Sequence, residues 1–241
     1  MEDPRAVSLP PVVTIDGPSG VGKGTVTLRI AKHLGWHTLD SGALYRVLAF
    51  ASLQHAIASA DERALTHLAS QLNVQFEPLL DLSETRVMLD GQDVTPSLRT
   101  EACGQTASKI AAWPAIRQVL LAKQQAFRQP PGLVADGRDM GTVIFPDAPI
   151  KIFLTATLEE RAQRRYKQLK EKGIDVKLAT LIGEITERDT RDRTRTLAPL
   201  TPAADALIIE TTGLSIEKVV ECILNQVSEY TTRATPFAEK A

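Results

Sequence analysis

Val12-Val13-Thr14-Ile15-Asp16-Gly17-Pro18-Ser19-Gly20-Val21-Gly22-Lys23-Gly24-Thr25 is the stretch that sets the architecture of this 241-residue chain. It opens on a β-branched run, turns through glycines and leads into Val26, Ile30 and Leu34, which recur at helical spacing. The order strand, glycine-rich turn, helix leaves several backbone N–H groups unpaired at the positive end of a helix dipole, where a di- or triphosphate can sit. Gly17, Gly22 and Lys23 meet the spacing G-x-x-x-x-G-K, with Lys23 able to reach β- and γ-phosphates. The next residue is Gly24, and the hydroxyl comes one later, at Thr25. An ordinary turn with a surface lysine would require neither the strand before nor the helix after. A mononucleotide phosphate site is the stronger reading.

The length suits one large domain, or one core with inserted pieces. A formal charge of -1 carries no basic excess, which disfavours nucleic acid or an anionic membrane as the main partner. Cys103 and Cys222 lie far apart with no Cys-x-x-Cys spacing, so neither a disulfide framework nor a zinc cluster is expected. Residues 1–11 lack the apolar centre of a secretory signal, and no run reaches the roughly 18 apolar residues of a membrane span. A cytoplasmic, soluble protein with flexible tails at 1–11 and 228–241 is expected.

Strands and helices then alternate. Trp36 to Asp40 reads as a strand, with Ser41 as a plausible N-cap for a helix through Val47, Leu48 and Phe50. Asp61 starts a helix with Leu65, Leu68, Ala69 and Leu72 on one face. Val74 to Phe76, Arg86 to Leu89 and the Asp90-Gly91 turn toward Val94 form a small antiparallel patch, an insertion at about residues 70–100. Small residues dominate a helical stretch from Thr100 to Ala112, and Pro114 opens another with Ile116, Val119 and Leu120. Leu133 to Asp136 is a buried strand ending in an acid, and residues 137–142 are the loop beyond it. Open parallel sheets bind ligands at the carboxyl ends of their strands, so Asp136 should face the phosphate loop and can hold the water shell of magnesium. Arg138 and Asp139 read equally well as a surface ion pair or as a functional pair.

Ile150 to Leu154 is a further strand. Thr157 and Glu160 fit a capping box for a helix that carries Arg161, Arg164, Arg165 and Lys167 and ends near Lys172-Gly173. A second helix has Leu178, Leu181, Ile182 and Ile185 on its apolar side, and that face then turns to Arg188, Asp192 and Arg195. Lacing of the kind Glu184 to Arg188 explains part of the charge. It does not explain four arginines between 188 and 195, which suit a charged phosphoryl transition state. Asp205 to Ile209 is the last strand, and Ser215 caps a helix through Val219, Ile223 and Val227. The expected fold is α/β: a doubly wound parallel P-loop sheet of about five strands with helices on both faces.

Four segments, Ile15 to Thr25, Leu39 to Arg46, Ala135 to Thr142 and Glu187 to Arg195, in that order, together resemble the bacterial cytidylate kinase family. The resemblance runs from about Val12 to Val227. It implies transfer of the γ-phosphoryl group of ATP to CMP or dCMP within a single domain of residues 12–227. The core would be 12–69, 101–156 and 196–227, the monophosphate-binding insertion about 70–100, and a mobile helical lid about 157–195. Position by position, Ser41, Arg46, Ser108, Arg117, Arg138, Asp139, Arg188 and Asp192 match the family's CMP-contacting residues. Gly17, Pro18, Ser19, Gly20, Val21, Gly22, Lys23, Gly24 and Thr25 match its ATP loop, and Arg195 with the lid arginines its phosphate clamp.

The chemistry fits those assignments. The acceptor phosphate has a second pKa near about 6, so it is largely a dianion at neutral pH and needs no dedicated base. His33, His37, His55 and His67 are accordingly read as structural or surface residues. Two phosphates must instead be pushed together, with Lys23, Arg46, Arg138, Arg188, Arg195 and magnesium on Thr25 and, through water, Asp136 offsetting the repulsion. Asp139 suits the cytosine amino group as an acceptor, whereas uracil would set a carbonyl against it. Another monophosphate kinase (for UMP, for instance), a GTP-switch or nucleotide-sensing regulatory module, and a nucleic-acid-dependent ATPase are the alternatives. The missing Asn-Lys-x-Asp motif and the balanced charge weaken the last two. The expected partners are ATP and CMP or dCMP, with the protein a monomer.

Overall fold

A computed structural model describes residues 9–78, 85–171 and 173–234. Expectations that fall on 1–8, 79–84, Lys172 and 235–241 lie outside the described residues. In chain order the elements are β1 (Val12–Asp16), α1 (Lys23–Leu34), β2 (His37–Asp40), α2 (Ser41–Gln54), α3 (Glu62–Gln71), β3 (Val74–Pro78), β4 (Thr85–Leu89), β5 (Gln92–Asp93), α4 (Thr95–Leu98), α5 (Glu101–Ile110), α6 (Pro114–Gln125) and β6 (Leu133–Gly137). They continue through a π-helical turn (Met140–Ile144), β7 (Ile150–Thr155), α7 (Leu158–Glu171), α8 (Leu178–Thr194), β8 (Leu207–Glu210) and α9 (Ile216–Ala234).

Five strands form one parallel sheet in the order β2-β6-β1-β7-β8, the doubly wound arrangement expected. Alternation along β1 decides which helix packs where. Val13 and Ile15 join Val26 and Ile30 of α1 and Val219, Ile223 and Val227 of α9 in one apolar cluster. Val12 points the other way, into a cluster with Leu44 of α2 and with Met140, Ile144 and Phe145. Both faces are therefore covered, as an all-parallel sheet requires. Each fully buried Ile or Leu there contributes about 1.5–3 kcal/mol relative to exposure.

The antiparallel sheet β3-β4-β5 has the expected hairpin, with Asp90 and Gly91 both at positive φ (49° and 79°). Its Val87 and Leu89, with Val94 just beyond β5, share an apolar cluster with residues of α2, α3, α5 and α6, so it has no core separate from those helices.

Several local expectations are corrected. The N-cap of α2 is Asp40, whose Oδ1 accepts from Ala43 N at 2.9 Å; Ser41 is the first helical residue. Both residue types can cap, and the strand running through Asp40 settles which one does. The segment after Ser228 continues α9 to Ala234. The loop after β6 contains a π-helical turn, Met140–Ile144. The capping box at Thr157 is half formed: Glu160 N donates to Thr157 Oγ1, while the Glu160 carboxylate pairs with Arg164. The lacing on α8 joins Glu187 to Arg191, and Arg188 is turned elsewhere.

Candidate active site

The loop between β1 and α1 holds its shape through glycine. Gly17, Gly20 and Gly22 have φ of 148°, 81° and 94°, and a Cβ on Gly17 would stand 2.2 Å from Leu154 O. Its carbonyls are engaged from three sides. Lys23 Nζ donates to Gly17 O at 2.9 Å and Pro18 O at 2.8 Å. Arg161 Nη1 donates to Ser19 O at 3.1 Å, and Arg164 Nη1 to Val21 O at 3.3 Å. Arg161 also donates to Ala156 O and pairs with Asp189 of α8 at 2.7 Å, a buried bridge from the loop to the last long helix before β8.

Beside the loop lies a cleft of about 360 Å³, lined among others by Thr25, Thr27, Asp40, Arg46, Asp136 and Arg165. A smaller space of about 140 Å³ is bordered by Ser19, Gly20, Arg46 and Arg188. Asp136 comes to the cleft at the end of β6, in register with Asp40 at the end of β2. Burial, then the neighbouring Asp40 charge, push Asp136 up to about 8. Burial and the guanidinium of Arg138 bring Lys23 down to about 7. Burial, then Arg138 and Arg46, bring Arg188 down to about 9. Lys23, Arg46, Arg138 and Arg188 thus converge closely enough to repel one another, with Asp136 among them. Gly104 on α5 makes room for this: a Cβ there would stand 3.1 Å from Arg46 Nη2.

A second group adjoins the first. Arg138 Nε pairs with Asp192 at 2.8 Å, and burial of Asp192 is outweighed by Arg138, Arg188 and Arg195, which hold its carboxyl below the usual range. Arg117 forms a buried ion pair with Asp139, and lies over the Tyr45 ring at 5.9 Å. Burial raises Asp139 despite Arg117 and Arg195. Arg188 Nε, Arg195 Nε and Tyr45 Oη are buried polar atoms with no hydrogen-bond partner among the described residues. Arg195 also donates through Nη2 to Ala198 O at 2.7 Å.

The residues named from sequence therefore gather in two adjoining groups, with Ser41 and Ser108 engaged otherwise. Ser41 Oγ donates to Gln124 Oε1 at 2.6 Å, inside the protein, and Ser108 Oγ accepts from Arg191 Nε at 3.3 Å. All four histidines are exposed, as anticipated. Sequence reasoning passed over Asp40, Tyr45 and Asp16. The first two stand inside the segment Leu39 to Arg46, where acid and phenol types were a usable signal. Asp16 accepts at 2.9 Å from Met140 N and at 2.8 Å from Gly141 N, and nothing local marks that role.

The cytidylate kinase family model matches residues 13–229. The cytidylate kinase of Shewanella frigidimarina is 55% identical over 222 residues, 92% of this chain and 97% of that protein. The cytidylate kinase of Azotobacter vinelandii is 56% identical over 219 residues, 91% of this chain and 96% of its own length. A solved structure of shikimate kinase from Acinetobacter baumannii matches with a TM-score of 0.45 at 15% identity, covering 92% of this chain and 94% of that one.

Proposed function

The chain belongs to the cytidylate kinase family, and from that membership we propose how its residues transfer the γ-phosphoryl group of ATP to CMP or dCMP, giving ADP and CDP or dCDP. The observation that carries the assignment of roles is the convergence of Lys23, Arg46, Arg138 and Arg188, a gathering of cations, only partly offset by Asp136 and Asp192, that suits a polyanion. Residues 17–25 cradle the ATP phosphates, with Lys23 exchanging its bonds to Gly17 O and Pro18 O for the β- and γ-phosphates. Arg46, Arg138 and Arg188 take the acceptor phosphate, and with Arg195 they neutralise charge on the oxygens in flight. The orphaned Nε atoms of Arg188 and Arg195 supply donors suited to that task.

The cytosine base is read by Arg117, Asp139 and Asp192, with Ser41 and Ser108 completing the acceptor site. Asp139 accepts from the cytosine amino group and Arg117 holds it in place. No proton need be removed from the acceptor at neutral pH, so a general base is dispensable.

Magnesium bound with ATP supplies further charge neutralisation between the two phosphates. The residues present suit it. The donor set is oxygen-only: Asp40 and Asp136 place two carboxylates at adjacent strand ends, and the hydroxyls of Thr25 and Thr27 line the same cleft. Thr25 would bind directly, and Asp136 through water.

Residues 157–195 serve as the lid and about 70–100 as the monophosphate-binding insertion. The enzyme works as a cytoplasmic monomer on small nucleotides; the balanced charge supports only the part of this that excludes nucleic acid as a partner. Among the described residues no helix is long and apolar enough to cross a membrane. A coupled ADP-release assay with ATP, magnesium and CMP, dCMP, UMP, AMP or GMP tests the whole reading. CMP and dCMP should be strongly preferred; ADP formed equally fast without acceptor overturns it.

A further inference from the structure

Asp16 is the last residue of β1, directly before the phosphate loop, and only 5% exposed. Its two carboxylate oxygens accept from the first two amides of the π-helical turn, Met140 N and Gly141 N. An aspartate standing immediately before a helical turn ordinarily caps that turn with its own carboxylate. Asp139 occupies that place and makes no such bond; its carboxylate pairs with Arg117. Asp16 supplies the cap from 124 residues away, and Asp139 is released toward Arg117 and Arg195.

The packing around the turn makes this placement strict. A Cβ on Gly141 would stand 2.9 Å from Thr14 Oγ1, and one on Gly137 2.8 Å from Met140 Cε. The turn lies close against β1 at Gly141 and against the end of β6 at Gly137.

We infer that Asp16 is a positioning residue for the acceptor nucleotide: by holding the Met140 and Gly141 amides it fixes the aim of Arg138 and Asp139 relative to the phosphate loop that begins one residue later. The inference rests on the reading that Arg138 and Asp139 bind CMP. It makes one carboxylate the joint between donor and acceptor sites. Moving the turn misplaces the base and its phosphate together, while the ATP loop keeps its own glycines, its lysine and its arginine supports.

Asp16→Asn keeps the shape but turns one acceptor into an N–H facing an amide. Losing one charge-assisted hydrogen bond predicts a KM for CMP raised about ten- to hundredfold, with KM for ATP within about twofold of the parent. Preference for CMP over UMP should fall with it. In a double-mutant cycle with Asp139→Asn the loss of CMP over UMP preference in the double variant should be much smaller than the product of the two single losses, because on the base Asp16 acts through Asp139. Gly141→Ala pushes the same turn away from β1 through Thr14 while leaving Asp16 in place and should give the same split in KM, which decides the matter if Asp16→Asn does not fold. Equal rises in both KM values, effects that multiply fully, or a Gly141→Ala enzyme with unchanged KM for CMP overturn the inference. If Asp139→Asn alone leaves base preference intact, the base reading fails, and Asp16 is then judged on the CMP and ATP KM values alone.

Discussion

Asp40 and Asp136 face each other across β2 and β6, two carboxylates in register at the carboxyl ends of adjacent parallel strands. Burial and the Asp40 charge push Asp136 up to about 8. A carboxyl raised in the folded state keeps a proton that the unfolded chain has already lost. Its contribution to stability is full below the unfolded value of 3.8 and is lost as pH rises toward about 8. Lys23 acts in the opposite sense. Lowered to about 7 from 10.5, it contributes increasing stability as pH rises from about 7 to 10.5. The nucleotide-free protein should therefore lose thermal stability from pH 5 to about 7 and regain it above about 8. Asp136→Asn should flatten the falling limb in a melting series, and a slope unchanged by that substitution would count against the Asp136 assignment.

Lys23→Met should lower kcat by at least about a hundredfold, since it removes a donor aimed at charge that develops in the transition state. The same substitution should raise the melting temperature of the nucleotide-free protein, because it removes a buried cation crowded by Arg138 and Arg188. A variant that loses both activity and stability would argue that Lys23 is chiefly structural.

Asp139→Asn should bring the kcat/KM ratio of CMP over UMP down by about tenfold or more, the cost of one base contact. It also leaves Arg117 without its buried partner. Breaking one side of such a pair costs about 3–5 kcal/mol, so stability should fall too, and removal of both charges with Arg117→Met should restore part of it. Unchanged cytosine preference in a folded Asp139→Asn enzyme would refute the assignment.

Arg161 spans Ser19 O, Ala156 O and Asp189, three acceptors that only a planar fork with several donors can satisfy together. Arg161→Lys keeps the charge opposite Asp189 but drops the loop contact. KM for ATP should rise about tenfold, the worth of one such hydrogen bond, with KM for CMP little changed. Arg161→Ala orphans a buried carboxylate and should cost about 3–5 kcal/mol in denaturant unfolding.

Much of the site could be read from local pattern, because strand, turn and helix at residues 12–34 leave one place for phosphate and the acid ending β6 must arrive beside it. Motif order then supplied the arginines. What escaped depends on contacts between segments far apart in the chain. Asp16 caps a turn that begins at Met140, a bond across 124 residues that no local pattern marks. Asp40 was hidden by Ser41, since either type can cap and spacing does not say which side chain reaches the Ala43 amide. Spacing matches Glu184 to Arg188, yet Arg188 stands beside Arg138 and Arg46, which disfavour its charge, and Glu187 laces to Arg191. The polar end of α9 carries few apolar residues, and its helical continuation to Ala234 left no periodic signal.

The sheet order also governs when the enzyme comes into being. β6 lies between β2 and β1, although it begins at Leu133 and β2 ends at Asp40. A chain emerging from the ribosome exposes the phosphate loop early, with the flanking strand edges open until β6 arrives between them. Contacts of such wide sequence separation form slowly and leave unpaired edges open to association. A nascent chain halted before Leu133 should carry the complete glycine-rich motif and still retain no nucleotide. The gain of binding on extension past residue 137, and of turnover only past Arg195, would order the birth of the two sites in time.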